Sequence, residues 1–196
     1  ARIPGAAQVA VLSQVPGLGE GVRQIEFEGV TPEPSAERPG VRAPVVSPGY
    51  FRMFDIAIVQ GRLFDDRDGI AGREGTVVTR EFVRKFWPGQ DPMGKRVRLM
   101  GFDKEPPGAW MTVVGVPSDM VQGQQETRPE AVLFVPYRQG DVYSSLLMAV
   151  RSSGDAAALA GSIRSVVQAI DLDLALYDVR TFYAAVQDSR LFFRVF

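Results

Sequence analysis

The chain has no cysteine and no histidine among its 196 residues. Without imidazole or thiol, Ser-His-Asp triads, Cys-His nucleophiles, zinc fingers and zincin motifs are all excluded. Disulfides are excluded too, so cysteine pairing does not disclose the redox compartment, although a thiol-free chain is compatible with an oxidising exterior. An excess of charge is also lacking. The 22 basic and 23 acidic residues give a formal net charge of -1, so the balance carries no footprint of binding to nucleic acid or an anionic membrane. No run approaches the roughly 18 apolar residues of a membrane-spanning helix, and Ala1-Arg-Ile-Pro4 does not resemble a signal peptide. The chain begins without Met and stops within the apolar pattern of 191–196; both ends read as cuts in something longer.

Hydrophobic residues make up 45% of the chain, enough for a sizeable core in one or two lobes. The 20 Gly and 14 Pro recur throughout, as in a loop-rich globular fold. Strands are expected at 7–13, 23–27 and 41–46, with an exposed, proline-containing connection over 31–40. Ser47 and Pro48 read as the start of a short helix over 49–54. Thr79 reads as the cap of a helix over 80–87, whose Phe82, Val83, Phe86 and Trp87 share one face before Pro88-Gly89 stops it. Further strands are expected at 76–78, 96–100, 110–116, 131–135 and 145–151, the last with Leu146, Met148 and Val150 on one face. Gly154-Asp155 opens an amphipathic helix carrying Leu159, Ile163, Val166, Val167 and Ile170, with Asp155 as its cap. A strand at 174–177 and a last helix from Thr181 complete a split α/β arrangement.

Several motifs look like chemistry and are not. Residues 89–95 (GQDPMGK) fit the start of a phosphate-binding loop, but Arg96 stands where a Ser or Thr must hold magnesium. Pro92 lacks an N–H, and the segment joins a helix to a strand, the reverse of the required order. A Gly/Pro turn with solvated Lys95 and Arg96 is the plainer reading. Asp65, Asp66 and Asp68 precede Gly69, but aligning that glycine with the sixth position of a calcium loop places Phe64 first and Gly75 twelfth, where carboxylates are required. An acidic turn or helix cap is expected instead. The loop Gly17 to Gly21 lacks the third spaced glycine of a dinucleotide fingerprint. Carboxylate pairs remain available for acid/base work, but nothing selects one pair. Tyr50, Phe51, Trp87 and Trp110 are expected in the core rather than in a ligand platform.

The order of the motifs is more informative than any one of them. Residues 45–51 (VVSPGYF), 61–65 (GRLFD) and 86–95 (FWPGQDPMGK) are followed by 112–116 (TVVGV) with Asp119, 128–136 (RPEAVLFVP), 150–155 (VRSSGD), and 170–173 (IDLD) with 177–180 (YDVR). Over residues 7–190 this series resembles the MacB-like periplasmic core domain of FtsX/MacB-type ABC transporter permeases, especially the duplicated permeases without an adjacent ATPase. The resemblance implies an α+β fold. A porter-like α/β lobe is built from 1–45 and 141–190, a β-rich, sabre-like lobe is inserted at 46–140, and 191–196 begins the connection to a membrane helix.

The function implied is mechanotransmission: the domain passes ATP-driven movement of membrane helices to substrate export or envelope signalling. It implies no catalytic residue, no cofactor and no metal ligand; Gly61, Pro88, Gly89 and Gly94 set turns, and Tyr50, Phe51, Phe86 and Trp87 fill the inserted lobe. The implied partners are the membrane-spanning remainder of the same permease, a separate cytoplasmic ATPase subunit, and a periplasmic adaptor or outer-membrane component, with no nucleic acid. The location is the periplasmic face of the bacterial inner membrane. The isolated domain is expected to be a monomer or weak dimer. The competing reading is a free-standing extracytoplasmic module that binds a peptide or envelope polymer.

Overall fold

The computed structural model describes residues 3–13, 15, 21–31, 37–101, 105–118, 129–139, 146–154, 156, 159–173, 176–185 and 187. They form ten strands and three α-helices, the α+β class expected. The chain packs into two units. One comprises 1–9 and 148–196, the other 10–147.

In the larger unit the sheet is mixed. Its path begins with the second half of β1 (Ala6–Leu12) and continues through β4 (Val45–Val46), β9 (Leu133–Pro136), β6 (Gly75–Val78), β8 (Met111–Pro117), β7 (Arg96–Leu99), β2 (Val22–Phe27) and β3 (Gly40–Arg42). β5 (Ile58–Gly61) lies off this path, paired with β8. The pairs β4·β9 and β6·β8 are parallel; β1·β4, β6·β9, β7·β8, β5·β8, β2·β7 and β2·β3 are antiparallel.

Strands β6 and β9 are buried along their whole length. Such central strands read as near-continuous apolar runs, as Val77-Val78 and Leu133-Phe134-Val135 do. The expected strand over 41–46 is instead two strands, interrupted at Ala43-Pro44. Proline has no N–H to give to a ladder; the Pro44 carbonyl accepts from Val135 N–H instead.

α2 (Arg80–Phe86) forms as expected, with Thr79 as its cap. Thr79 Oγ1 accepts from Phe82 N–H at 3.3 Å and Val132 N–H at 3.0 Å, and donates to the Glu130 carbonyl at 2.7 Å. One hydroxyl therefore satisfies a free helix donor and ties the helix to the approach of β9. The buried Phe82 and Trp87 and the half-buried Val83 and Phe86 face the core with Ile25, Val97, Met111 and Leu133. α1 (Gly49–Met53) is present, but its cap position is Pro48 and no side chain caps it. Ser47 Oγ accepts from Val11 N–H at 2.9 Å, so the hydroxyl expected to cap the helix stitches β1 to β4.

Two aromatic groups anchor this core. Phe27, Phe82, Phe86 and Trp87 pack with ring centroids 4.8–6.3 Å apart. Tyr50, Phe51, Phe54, Phe64 and Phe134 do the same at 4.9–5.7 Å.

In the smaller unit, β10 (Leu147–Ser152) lies beside the first half of β1. Gly5 carbonyl accepts from both Ser153 N–H and Ser153 Oγ at 3.1 Å. The crossing between units thus falls between Val9 and Ala10, inside β1, and between Leu147 and Met148, inside β10. Leu146 and Met148 are exposed, so the alternation expected to bury one face of this strand does not do so.

α3 (Leu159–Ile170) keeps the expected apolar set, but only Leu159 is buried; Ile163, Val166 and Val167 are half-buried, and Ile170 is exposed. Asp155, expected to cap it, lies outside the described residues. Of the strand expected at 174–177, residues 176 and 177 are described and are not strand. Thr181 opens a helical turn, its Oγ1 accepting from Ala184 N–H at 3.2 Å.

Candidate functional site: an arginine-lined cleft

β7 and β8 carry alternating residues, so Arg96, Thr112 and Val114 share access to one surface of the larger unit. The segment between β5 and β6 lies over that surface. It brings Arg62, Asp65, Arg67, Asp68, Gly72, Arg73 and Glu74, and with Trp110 these line an open cleft of about 370 Å³. That volume is at the small end of ligand sites, roughly 300–1,000 Å³.

Close backbone approach makes the segment lie flat. Gly61 has φ +71, and a Cβ there would stand 2.3 Å from the Val114 carbonyl oxygen. Across the pairing, a Cβ on Gly115 would stand 2.0 Å from the Arg62 carbonyl oxygen. Two glycines facing each other on β5 and β8 therefore let the strands meet, and Arg62 N–H donates to the Val114 carbonyl at 2.9 Å. β5 itself was not expected from the sequence. Its four residues are all exposed, so it has no apolar alternation to reveal it.

The wall of the cleft is held by an ion pair. Asp68, 4% exposed, accepts from Arg62 Nη1 at 2.6 Å and Nη2 at 2.8 Å, and from Asp65 N–H at 2.7 Å. The fork-on-carboxylate bond raises the Arg62 pKa above its ordinary value. Asp65 accepts from the backbone N–H of Arg67 at 2.8 Å and from its Nη2 at 2.8 Å. The Arg67 side chain, then its N–H, hold the Asp65 carboxyl down to about 2. Glu74 is also lowered, first by the Gly72 N–H at 2.8 Å. These acids form the turn expected of residues 65–69, and their oxygens are engaged by arginines and amides. Among the described residues no three His, Cys, Asp or Glu side chains group as a metal site.

Outside the lining itself, Arg98 lies over the Trp110 ring, 4.5 Å from its centroid, and is bound by Glu26, which also accepts from Arg38 Nε. Arg98, then Arg38, lower the Glu26 pKa against the opposing effect of burial. Glu26 and Arg98 are register partners on β2 and β7. Of the four aromatics weighed from the sequence, Tyr50, Phe51 and Trp87 are buried in the core, and Trp110 alone lines the cleft.

Residues 89–95 form the turn between α2 and β7. Gly89 and Gly94 have φ +70 and +76, and Asp91 accepts from Met93 N–H at 3.0 Å. Lys95 and Arg96 are not simply solvated as expected: Lys95 Nζ lies 5.7 Å from the Trp87 ring centroid, and Arg96 pairs with Glu28. Gly17 to Glu20 lie outside the described residues.

The family described as the MacB-like periplasmic core domain matches residues 3–166. The chain belongs to that family. Its membership makes it part of a membrane ABC transporter permease, on the extracytoplasmic side, in a domain type that is not a catalytic one. No curated protein matches the sequence.

Solved structures share the fold of this MacB-like domain. The extracellular domain of the noncanonic ABC-type transporter YknZ from Gram-positive bacteria is 18% identical with a TM-score of 0.51, over 83% of this chain and 71% of that one. The periplasmic region of MacB from Actinobacillus actinomycetemcomitans is 14% identical with a TM-score of 0.51, over 86% and 87%. A domain assigned to a permease protein from Porphyromonas gingivalis is 17% identical with a TM-score of 0.55, over 85% and 65%. Among the described residues of the MacB-like domain no helix is long and apolar enough to cross a membrane.

Proposed function

We propose that the chain acts as the mechanical, non-catalytic extracytoplasmic part of a permease at the periplasmic face of a bacterial inner membrane. It passes movement of the membrane helices, driven by a separate cytoplasmic ATPase, to substrate export or envelope signalling. A periplasmic adaptor or outer-membrane component is the receiving partner. The smaller unit corresponds to the porter-like lobe and the larger one contains the inserted β-rich lobe. The observation that carries this reading is the division of a MacB-family chain into two separately packed units, each entered and left through strands.

The test uses the permease that contains this domain. Arg84 on α2 and Arg164 on α3 are exposed and lie in different units, and this chain contributes no native thiol. Spin labels on Arg84→Cys and Arg164→Cys are expected to give different distance distributions in the nucleotide-free and ATP-trapped permease. Identical distributions would defeat the proposal. A membrane-impermeant maleimide should label Arg84→Cys in spheroplasts, and protection there would place the domain on the wrong side. By itself the chain is expected to sediment as a monomer or weak dimer; a tight dimer at every concentration counts against that expectation. The cleft favours a second role for the same domain, binding of a peptide or envelope polymer, which requires saturable binding of such a ligand by the isolated chain.

A further inference from the structure

We propose that the cleft of the larger unit is an oxyanion site, taking a small ligand whose carboxylate or phosphate is joined to a flat or apolar body. The charges in the lining are unevenly committed. Arg62 is bound by Asp68 and Arg67 by Asp65, and these four groups are spent on holding the loop. Glu74 receives the Gly72 amide. Arg73 is exposed and lines the same cleft, and among the described residues its side chain has no hydrogen-bond or ion-pair partner.

Arg96 gives only Nη1 to Glu28, at 2.6 Å, in a pair that is 40% and 47% exposed. A guanidinium has five N–H donors in a planar fork, so most of those on Arg96 and all of those on Arg73 remain for a ligand. The Thr112 hydroxyl lines the cleft with no hydrogen bond among the described residues, and offers a further donor. Trp110 supplies a flat apolar surface backed by the stacked Arg98 guanidinium. The lining holds four arginines and three acids, of which Asp65 and Asp68 are paired with arginines while Glu74 keeps its charge; unused guanidinium donors in a cleft that also presents an aromatic ring suit an anion rather than a cation. The inference stands apart from the mechanical reading: a rigid domain with no role in transmission would still bind such an anion.

Titration of the 196-residue chain with phenyl phosphate, benzoate and inorganic phosphate, followed by tryptophan fluorescence and calorimetry, tests it. Saturable binding of phenyl phosphate is expected by about 10 mM, weakening as salt rises. Arg73→Gln should weaken it about tenfold, since a charge-assisted contact is lost, while Arg84→Gln, outside the cleft, leaves it unchanged. Trp110→Phe should remove the fluorescence change and keep the calorimetric one. Vesicles of phosphatidylcholine with phosphatidylglycerol separate the sources: retention that depends on Arg73 identifies a headgroup phosphate, and binding of the soluble probes alone identifies a free one. Absence of saturation by all three probes, equal losses in Arg73→Gln and Arg84→Gln, or tighter binding of benzylammonium overturns the proposal.

Discussion

Thr79→Val removes one hydroxyl and keeps the shape of the side chain, so it isolates the three bonds of Thr79 Oγ1. The residue is 5% exposed, and water cannot replace those bonds without local opening. Val132 N–H and the Glu130 carbonyl would each lose a partner at a cost of about 1–3 kcal/mol, and loss of the cap to Phe82 N–H adds about 1 kcal/mol. The expected loss is therefore about 4 kcal/mol, or a fall in Tm of very roughly 8–16 °C for a chain of this length. Thr79→Ser keeps the hydroxyl and loses one buried methyl, worth about 1 kcal/mol. Urea unfolding followed by fluorescence suits the comparison, because Trp87 occupies the C-cap of the same helix. If Thr79→Val costs less than about 1 kcal/mol more than Thr79→Ser, the hydroxyl does not join α2 to β9 in the way described.

Gly115→Ala should detach β5 from β8, because its methyl meets the Arg62 carbonyl at 2.0 Å; overpacking of this kind costs about 1–3 kcal/mol or more, and hydrogen exchange that leaves the Arg62 amide protected would contradict it. Asp68→Ala strips Asp65 N–H of its acceptor and Arg62 of its carboxylate fork, leaving Arg62 the Leu63 carbonyl at 3.1 Å. Because Arg62 is half exposed and regains water, a loss of about 2 kcal/mol is expected in denaturant unfolding, and an unchanged midpoint would refute the clamp. Asp65 has a folded pKa near 2 against about 3.9 in an unfolded chain. Its contribution is thus complete above about pH 4 and lost as pH falls toward 2. A carboxyl NMR titration should show the low midpoint and its return toward the ordinary value in Arg67→Gln; an ordinary midpoint in the unmodified chain would disprove the pairing.

Elements with several agreeing local signals were legible in the sequence. α2 has its cap at Thr79, an apolar face from Phe82 to Trp87 and a stop at Pro88-Gly89, and these signs all concern the one short stretch 79–89. The MacB-like motif series was readable for the same reason, since its runs are turns and core aromatics fixed in order. Ser47 shows the limit: a hydroxyl before a proline looks like a cap, but its bond to Val11 depends on a strand 36 residues away. β5 leaves no signal because it is short and exposed on both faces. The cleft was not legible at all. Arg62 and Arg73 lie on the segment between β5 and β6, Arg96 on β7 and Trp110 just before β8, and only the pairings of β8 with β5, β6 and β7 bring them around one cleft. No spacing rule along the chain encodes that assembly.

Both passages of the chain from one unit to the other fall within strands, at Val9-Ala10 in the middle of β1 and at Leu147-Met148, after the first residue of β10. A glycine-rich tether stores slack and absorbs a pull by straightening. An extended strand has almost none to give, since it already runs at about 3.3 Å per residue. Length added inside β1 also has a parity. One extra residue after Val9 turns every later side chain of β1 to the opposite side of the sheet, burying what was out and exposing Leu12. Two extra residues restore the faces and shift the pairing with Val46. The junction in β1 is therefore a gauge with a fixed setting, where inserted length becomes misfit rather than play.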